Sequence, residues 1–337
     1  MSYEELIGLQ EGKGKLFKKP DAEGSRKFFK NKSREMKSKV TSVKEAVNKY
    51  IEDGIYLAVG GFGTNRIPTA IYHEIVRQRK KNLALSGHTA THDGQILMAG
   101  GAVDRCDAAY VVGLEARGLS KSARDAFEKY GVEVCEWTNA TLTWRYKAAA
   151  MGLSFLPSRA LLGTDTFKYS GAKVMHCPFT GQKYAALPAL PVDVACIHVH
   201  KADIYGNCQI EGIDVGDIDI VKASKYVIVT TEELVPHSQM RNETDKVSIP
   251  YFLVDAVAEV PYGCYPGNMP YRYFSDEEHL NEWLQQEQEG KIDEFLQKYI
   301  YSTSDFSEYL QLCGGIEKLK DLRRKEVLIE DLEELGE

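Results

Sequence analysis

The sequence predicts an α/β fold: an open, mostly parallel sheet with helices on both faces and a helical C-terminal tail. Three observations carry this. Short apolar runs of strand length alternate with amphipathic stretches of helix length between residues 42 and 152. A turn with three glycines, Gly60, Gly61 and Gly63, joins one such run to one such stretch. The last 60 residues carry acidic helical patterns, "HLNEWLQQEQEG" and "KIDEFLQKYI".

The elements follow in order. "SVKEAVNKYIEDG" opens a helix: Ser42 and Glu45 have capping-box spacing, and Val43, Ala46, Val47 and Ile51 form one apolar stripe. Gly54 is expected to end it. "IYLAV" (55–59) is a buried strand by length and composition. Pro68 suits the first turn of the helix "PTAIYHEIVRQRKK". Strands are expected at 83–86, at "AAYVVG" (108–113) and at "VEVCEW" (132–137). Helices are expected around "SKSARDAFEKYG" and "ATLTWRYKAAAMG". Beyond residue 155 Pro recurs, and strands show again in "VDVACIHVH" and "KYVIVTTEE". In such a sheet, ligands sit beyond the carboxyl ends of the strands.

Composition narrows the function classes. A chain of 337 residues that is 43% hydrophobic builds one large core or two modest ones. No apolar run reaches the ~20 residues of a membrane span, and no signal-peptide core opens the chain. Seven scattered cysteines (106, 135, 177, 196, 208, 264, 313) with no CxxC read as reduced thiols, so a cytoplasmic protein is expected. A net charge of -7 argues against nucleic-acid binding. Residues 1–36 form a basic N-terminal extension, and 37–337 form one α/β domain with its helical tail. The extension reads as a solvated arm or a subunit contact, dispensable for folding. A polybasic site for an anionic ligand is the other reading.

The glycine turn, "LAVGGFGTNRIP" (57–68), follows a strand and precedes a helix, as a dinucleotide fingerprint does. It fails in detail: Gly61 to Arg66 spell GxGxxR, and no acidic residue stands at the next strand end for a ribose. A P-loop fails for want of Gly-Lys-Ser/Thr. A tight turn without a ligand remains open.

The stretch "DGIYLAVGGFGTNRIP" (53–68) resembles the signature of family I coenzyme A transferases, at the start of their α subunit. Arg66 in the place before Ile67-Pro68 is similar to the glutaconate CoA-transferase branch. The resemblance continues through "SKVTSVKEAVNKYIEDG", "AAAMGLSFLPSRALLGTD", "LPALPVDVACIHVHKADIYGN", "KYVIVTTEEL" and "VDAVAEVPYGCYP", over roughly residues 37–320. It implies a CoA-transferase α-subunit-like fold and a β-subunit partner in an α2β2 or larger assembly. Acyl-CoA and a carboxylic acid, mono- or dicarboxylic, would be the substrates, coenzyme A entering as substrate with no permanently bound cofactor. It implies a nucleophilic glutamate on the β subunit, carrying CoA as a glutamyl thioester. The motif around that glutamate is absent here, and Glu115, Glu232 and Glu233 lack its context.

The resemblance also implies where this chain meets substrate. Gly60, Gly61, Phe62 and Gly63 would form a wall. Gly87-His88-Thr89-Ala90 and Asn139 occupy the places where two-domain relatives put an Asn-Asn-Ala-Gly turn and a Gln. Asn139 would donate to a carboxylate or thioester oxygen, or else serve as the N-cap of the helix from Ala140. Arg66 would take a distal carboxylate or a CoA phosphate, or else sit as a surface arginine. Glu115 is a pocket or supporting acid, or neither. His88, His92 and Asp93 could converge on a metal, but nothing else supports one. His198 and His200 alternate across a strand and read as structural. Two other functions stay open: an acyl-CoA ring-opening hydrolase or enoyl-CoA diacid decarboxylase subunit on the same scaffold, and a non-enzymatic regulator or sugar-phosphate-binding cousin. The hydrolases place a Glu where Asn139 stands.

Overall fold

The chain lays down half of its main sheet in one direction, returns to the centre, and builds the other half outward. The computed structural model describes residues 3–111, 113 and 118–335. Helices α1 (Tyr3–Gly8) and α2 (Ala22–Asn31) precede the body. The first half runs α3 (Val43–Tyr50), β1 (Tyr56–Val59), α4 (Thr69–Arg77), β2 (Leu83–Gly87), α5 (His92–Ala99), β3 (Val103–Ala108), α6 (Lys121–Glu128), β4 (Glu133–Glu136) and α7 (Asn139–Ala150). A small antiparallel sheet follows, from β5 (Phe155–Ser158), β6 (Lys173–His176) and β7 (Lys183–Pro188), with α8 (Asp165–Tyr169) between. The second half runs β8 (Val192–Ala202), β9 (Cys208–Gln209), α9 (Asp217–Ala223), β10 (Ser224–Leu234), α10 (His237–Asn242) and β11 (Ala256–Glu259). The tail is α11 (Glu277–Gln288), α12 (Ile292–Leu296), α13 (Phe306–Leu312) and α14 (Gly315–Leu335).

The main sheet has the order β11-β10-β8-β1-β2-β3-β4, with every neighbour in that path parallel. The direction of winding reverses between β1 and β8, where Val59 lies opposite Cys196. A crevice therefore opens beyond the carboxyl ends of these two strands. Apolar cores cover both faces of the sheet, which is why β1 and β2 are buried at every position.

Local chemistry explains the elements read correctly. Ser42 Oγ accepts from Glu45 N at 3.1 Å and the Glu45 carboxylate accepts from Ser42 N, a complete capping box. Two readings need correction. The third strand is Val103–Ala108, not 108–113. Its first half is polar, while the apolar run after it turns over the end of β2: Ala109 N and Tyr110 N both donate to Gly87 O. The basic extension is also anchored to the body rather than a free arm, although none of its described residues is buried. Gly12 N and Gly14 N donate to Ala172 O and Ser170 O beside the small sheet. Lys18 pairs with Asp193. Lys32 Nζ reaches Asp255 Oδ2 at 2.7 Å, Lys225 O at 2.8 Å and Leu253 O at 3.1 Å.

These anchors tie the extension to the body. Lys32→Ala leaves Asp255 and two carbonyls without their cation, so it is expected to lower unfolding free energy by about 2–4 kcal/mol. Lys37, in an exposed pair with Glu35, sets the control: Lys37→Ala should cost no more than about 0.5 kcal/mol. Chemical denaturation of the two variants checks this, and equal midpoints would return the extension to the solvated class.

Candidate functional site

The glycine turn sits at the reversal point. Gly60 N donates to Cys196 O across the β1/β8 junction. A Cβ on Gly60 would lie 2.4 Å from Asp217 Oδ1 and 2.5 Å from Ile197 Cδ1, so only glycine lets Asp217 approach. Gly61, at φ +83°, closes the turn and donates to Asp217 Oδ1 at 3.1 Å. Phe62 N donates to Asn65 O, and Gly63 N to Thr89 O. The amides of Gly60, Gly61, Phe62 and Gly63 are thus all committed to the fold. The turn shapes a wall with its surface and Phe62 ring rather than with free N–H donors.

Arg66 is not on the surface. It is buried to 1% exposure, with Nη1 and Nη2 forked onto the two oxygens of Asp217 at 3.1 and 3.0 Å, and Nη2 also donating to Ile213 O at 2.7 Å. Burial works against its charge, and the Asp217 carboxylate more than offsets that, so the guanidinium stays charged. Its backbone has φ +57° and its N–H donates to Asn268 O. A fork already closed on Asp217 does not reach for a distal carboxylate or a CoA phosphate. Sequence reasoning missed Asp217, because nothing local in "GIDVGDIDIV" signals a partner 151 residues away.

His88 follows β2 and stands between two walls. Its ring lies 5.7 Å from the Phe62 ring. Its Nε2 lies 2.9 Å from Thr143 Oγ1 on α7, and that hydroxyl donates to Asn139 O, also at 2.9 Å. Burial pushes the imidazole below its usual range, so the ring is neutral near pH 7, although the carbonyls of His88 and Asn139 pull the other way. Thr89 is buried with φ +51°, an uncommon backbone for a β-branched residue, and its Oγ1 has no hydrogen-bond partner. Asn139 is the first residue of α7. The N-cap is Thr138, which accepts from Thr141 N, so the capping role expected for Asn139 belongs to its neighbour. Asn139 Oδ1 is buried with no partner. A buried amide oxygen and a buried hydroxyl without protein partners leave bonds for a ligand, water or another chain to make.

The structure therefore brings together the turn, His88, Thr89 and Asn139, and sends Arg66 inward. Glu115 and the side chain of Asp93 lie outside the described residues. His92 does not turn toward His88: its Nε2 lies 3.1 Å from Thr69 Oγ1 and its Nδ1 3.3 Å from Thr91 Oγ1. His198 and His200 are both integrated in the fold. His200 accepts from Glu211 N and donates to Pro270 O, and burial lowers it to about 4. His198 lies with Glu232 and Cys264 close enough to suggest a cation site. Its ring nitrogens meet Thr230 and Glu232, and Glu232 also accepts from Tyr273 Oη and Tyr262 N. A network this complete needs no ion.

Comparison with known proteins agrees with the geometry. The sequence model of the coenzyme A transferase family matches residues 40–260. The A subunit of glutaconate CoA-transferase from Acidaminococcus fermentans is 32% identical over 82% of this chain and 92% of its own length. The crystal structure of glutaconate coenzyme A-transferase from that organism superimposes with a TM-score of 0.82, covering 85% of this chain and 96% of that one at 31% identity. The A subunit of a 3-oxoadipate CoA-transferase from Pseudomonas knackmussii is 34% identical over 81% of this chain and 97% of its length. A decarboxylase, AibA/AibB, is 30% identical with a TM-score of 0.71, over 78% of this chain and 98% of that one. Among the described residues no helix is long and apolar enough to cross a membrane.

The buried fork makes a prediction. Arg66→Ala leaves Asp217 as an uncompensated charge and is expected to cost about 3–5 kcal/mol of unfolding free energy. The double variant Arg66→Met/Asp217→Leu should recover much of that loss. Any effect on turnover should be the same for mono- and dicarboxylic acids. A diacid-selective loss in a stable Arg66→Ala protein would put the guanidinium on substrate after all.

Proposed function

The chain belongs to the coenzyme A transferase family, and from that premise we propose that it is the α subunit of a heteromeric enzyme that moves CoA between an acyl-CoA and a carboxylic acid. Its relatives named as A subunits are covered nearly end to end. Relatives named for glutaconate and 3-oxoadipate support a diacid among the substrates, held by groups other than Arg66.

One observation carries the division of labour. Among the described residues, the walls of the crevice offer a neutral imidazole, an unpaired amide oxygen and an unpaired hydroxyl, but no glutamate in position to attack. Glu232 is locked by three donors, and Glu233 is half exposed beside Arg272. The partner's glutamate would attack the thioester carbonyl and expel CoA thiolate, leaving a mixed anhydride. Thiolate returning to the glutamyl carbonyl would release the first acid and leave glutamyl-CoA, from which the acceptor acid takes the acyl-activating CoA by the reverse steps. Each addition places negative charge on a carbonyl oxygen. With the turn's amides committed, the Asn139 Nδ2 amide is the donor this chain would offer that oxygen, while its unpaired Oδ1 is an acceptor and takes no part.

The test is to trap the adduct. The complex is incubated with acyl-CoA without acceptor, reduced with borohydride, and mapped by peptide mass. The reduced glutamate should lie on the partner chain, and this chain alone should show no exchange. Asn139→Ala should slow adduct formation by about 10²–10³ without moving it. A reduced glutamate at 115, 232 or 233 would refute the proposal. Product without an adduct on either chain would favour the hydrolase or decarboxylase reading.

A further inference from the structure

We propose that the outer face of α7 is the surface on which the nucleophile-bearing partner subunit docks, with the crevice at its edge. The inference takes its occupant from the heteromeric reading above and its surface from α7 itself. Four residues of this helix and its C-cap stand exposed: Ala140, Trp144, Lys147 and Met151. Their spacing of four, three and four puts them on one stripe. Three of the four are apolar, and Trp144 and Met151 are 38% and 60% exposed. α11, a helix of the same twelve-residue length, shows the ordinary pattern: its outward stripe is Glu278, Asn281, Gln285 and Gln288. The inner face of α7 is no less polar than the outer one. It carries Arg145, fully buried, paired with Asp107 at 2.9 Å and stacked 4.0 Å from the Trp137 ring. A helix with apolar residues on both faces suits cover on both sides.

The position of the stripe decides what covers it. α7 begins at Asn139 in the crevice and runs about 18 Å from there. Beside its first turn lies the 212–216 loop, where a Cβ on Gly216 would stand 3.8 Å from Thr143, and this loop adds exposed Ile213 and Val215. Beyond its end the chain continues with exposed Leu153 and Phe155. Single exposed apolar side chains are ordinary on a monomer, but a run of them bordering a site marks an interaction surface. The crevice at the head of this run has Asn139 Oδ1 and Thr89 Oγ1 unpaired, and among the described residues no glutamate placed to attack. A chain lying along α7 enters the crevice with its own residues. A second copy of this chain would bring another crevice without a glutamate, so the partner subunit is the occupant that completes the site.

The test uses both full-length chains, co-expressed and purified as the complex. Two methionines read the surface in the wild-type protein: Met151, and Met36 in the extension, which is 44% exposed on this chain. Under dilute peroxide, peptide mass mapping should find Met36 oxidised and Met151 protected like the buried Met240. Trp144→Glu and Met151→Glu should each weaken the complex about 30-fold or more in sedimentation at serial dilution, the loss usual at a central interface anchor. Asn281→Glu/Gln285→Glu on α11 should leave it unchanged. Should Trp144→Glu fail to fold, Met151→Glu at the more exposed position decides together with the oxidation pattern. Met151 oxidised as fast as Met36, or a Met151→Glu complex as tight as wild type, would overturn the proposal. Variants that lose only self-association of this chain would give the face to a second copy and overturn it too. Absence of any wild-type complex would overturn the proposal and the heteromeric reading together. A wild-type complex that is weakened at Trp144 and Met151 but exchanges no CoA would sink the transferase chemistry alone and leave the surface standing.

Discussion

The ion pair between Arg66 and Asp217 is the constraint on which the site depends. Both side chains are removed from water, 1% and 0% exposed. Desolvating two charges is costly, and such a pair is weak evidence for stability by itself. Its value here is geometric. One carboxylate takes Gly61 N and both guanidinium arms, and the guanidinium takes Ile213 O. Four pieces of chain, the turn, the loop at 213, the start of α9 and the 268 segment bonded to Arg66 N, are thereby fixed around one point. The positive φ of Arg66 stores about 1–3 kcal/mol of strain, which the surrounding bonds must over-determine.

That pairing also decides what the site does electrostatically. An unpaired arginine at the crevice would hold a carboxylate strongly, lowering its basicity. A nucleophilic carboxylate brought in by a partner is better served by neutral walls. The structure provides those: Arg66 is neutralised from below, His88 is uncharged near pH 7, and the unsatisfied atoms are the Asn139 amide oxygen and the Thr89 hydroxyl. A hydroxyl or an amide N–H can stabilise an oxyanion as it forms without forming an ion pair with the attacking carboxylate beforehand.

Most of the fold is legible in the sequence because it rests on local chemistry. The capping box at Ser42, the apolar runs of β1 and β8, and the strand–turn–helix at Gly60 are written in adjacent residues. The third strand escapes such a reading because its polar first half lies low in the hydrophobic pattern, while the more apolar residues after it bond around the end of β2. The extension escapes it for a different reason: a lysine-rich composition is the same whether its cations face water or, like Lys32, meet a carboxylate 223 residues away. The site divides along the same line. The glycine turn is written in adjacent residues, and His88 and Asn139 are reached through the family resemblance. Asp217 is reached by neither, since it acts only through a partner that the fold brings near.

β1 makes the coupling between these levels concrete. It is only four residues long, roughly 13 Å, and a carboxylate holds the chain at either end, half-buried at one and sealed at the other. At the amino end Tyr56 N donates to Asp193 Oδ2, which is neutralised by Lys18 from the extension and by Lys225. At the carboxyl end Gly61 N donates to Asp217, neutralised by Arg66. The two grips differ in exposure. Lys18 and Lys225 remain 28% and 40% exposed, so salt reaches them, whereas the Arg66 fork is sealed. Burial raises the Asp193 carboxyl, but Lys18, the Tyr56 amide and Lys225 outweigh it and hold it below the usual range. A depressed carboxylate contributes its stability above its unfolded pKa and loses it as pH falls through the folded value. Acid and salt therefore loosen the amino end of β1, where the extension holds it. The crevice at the other end hangs from a pair that solvent does not reach.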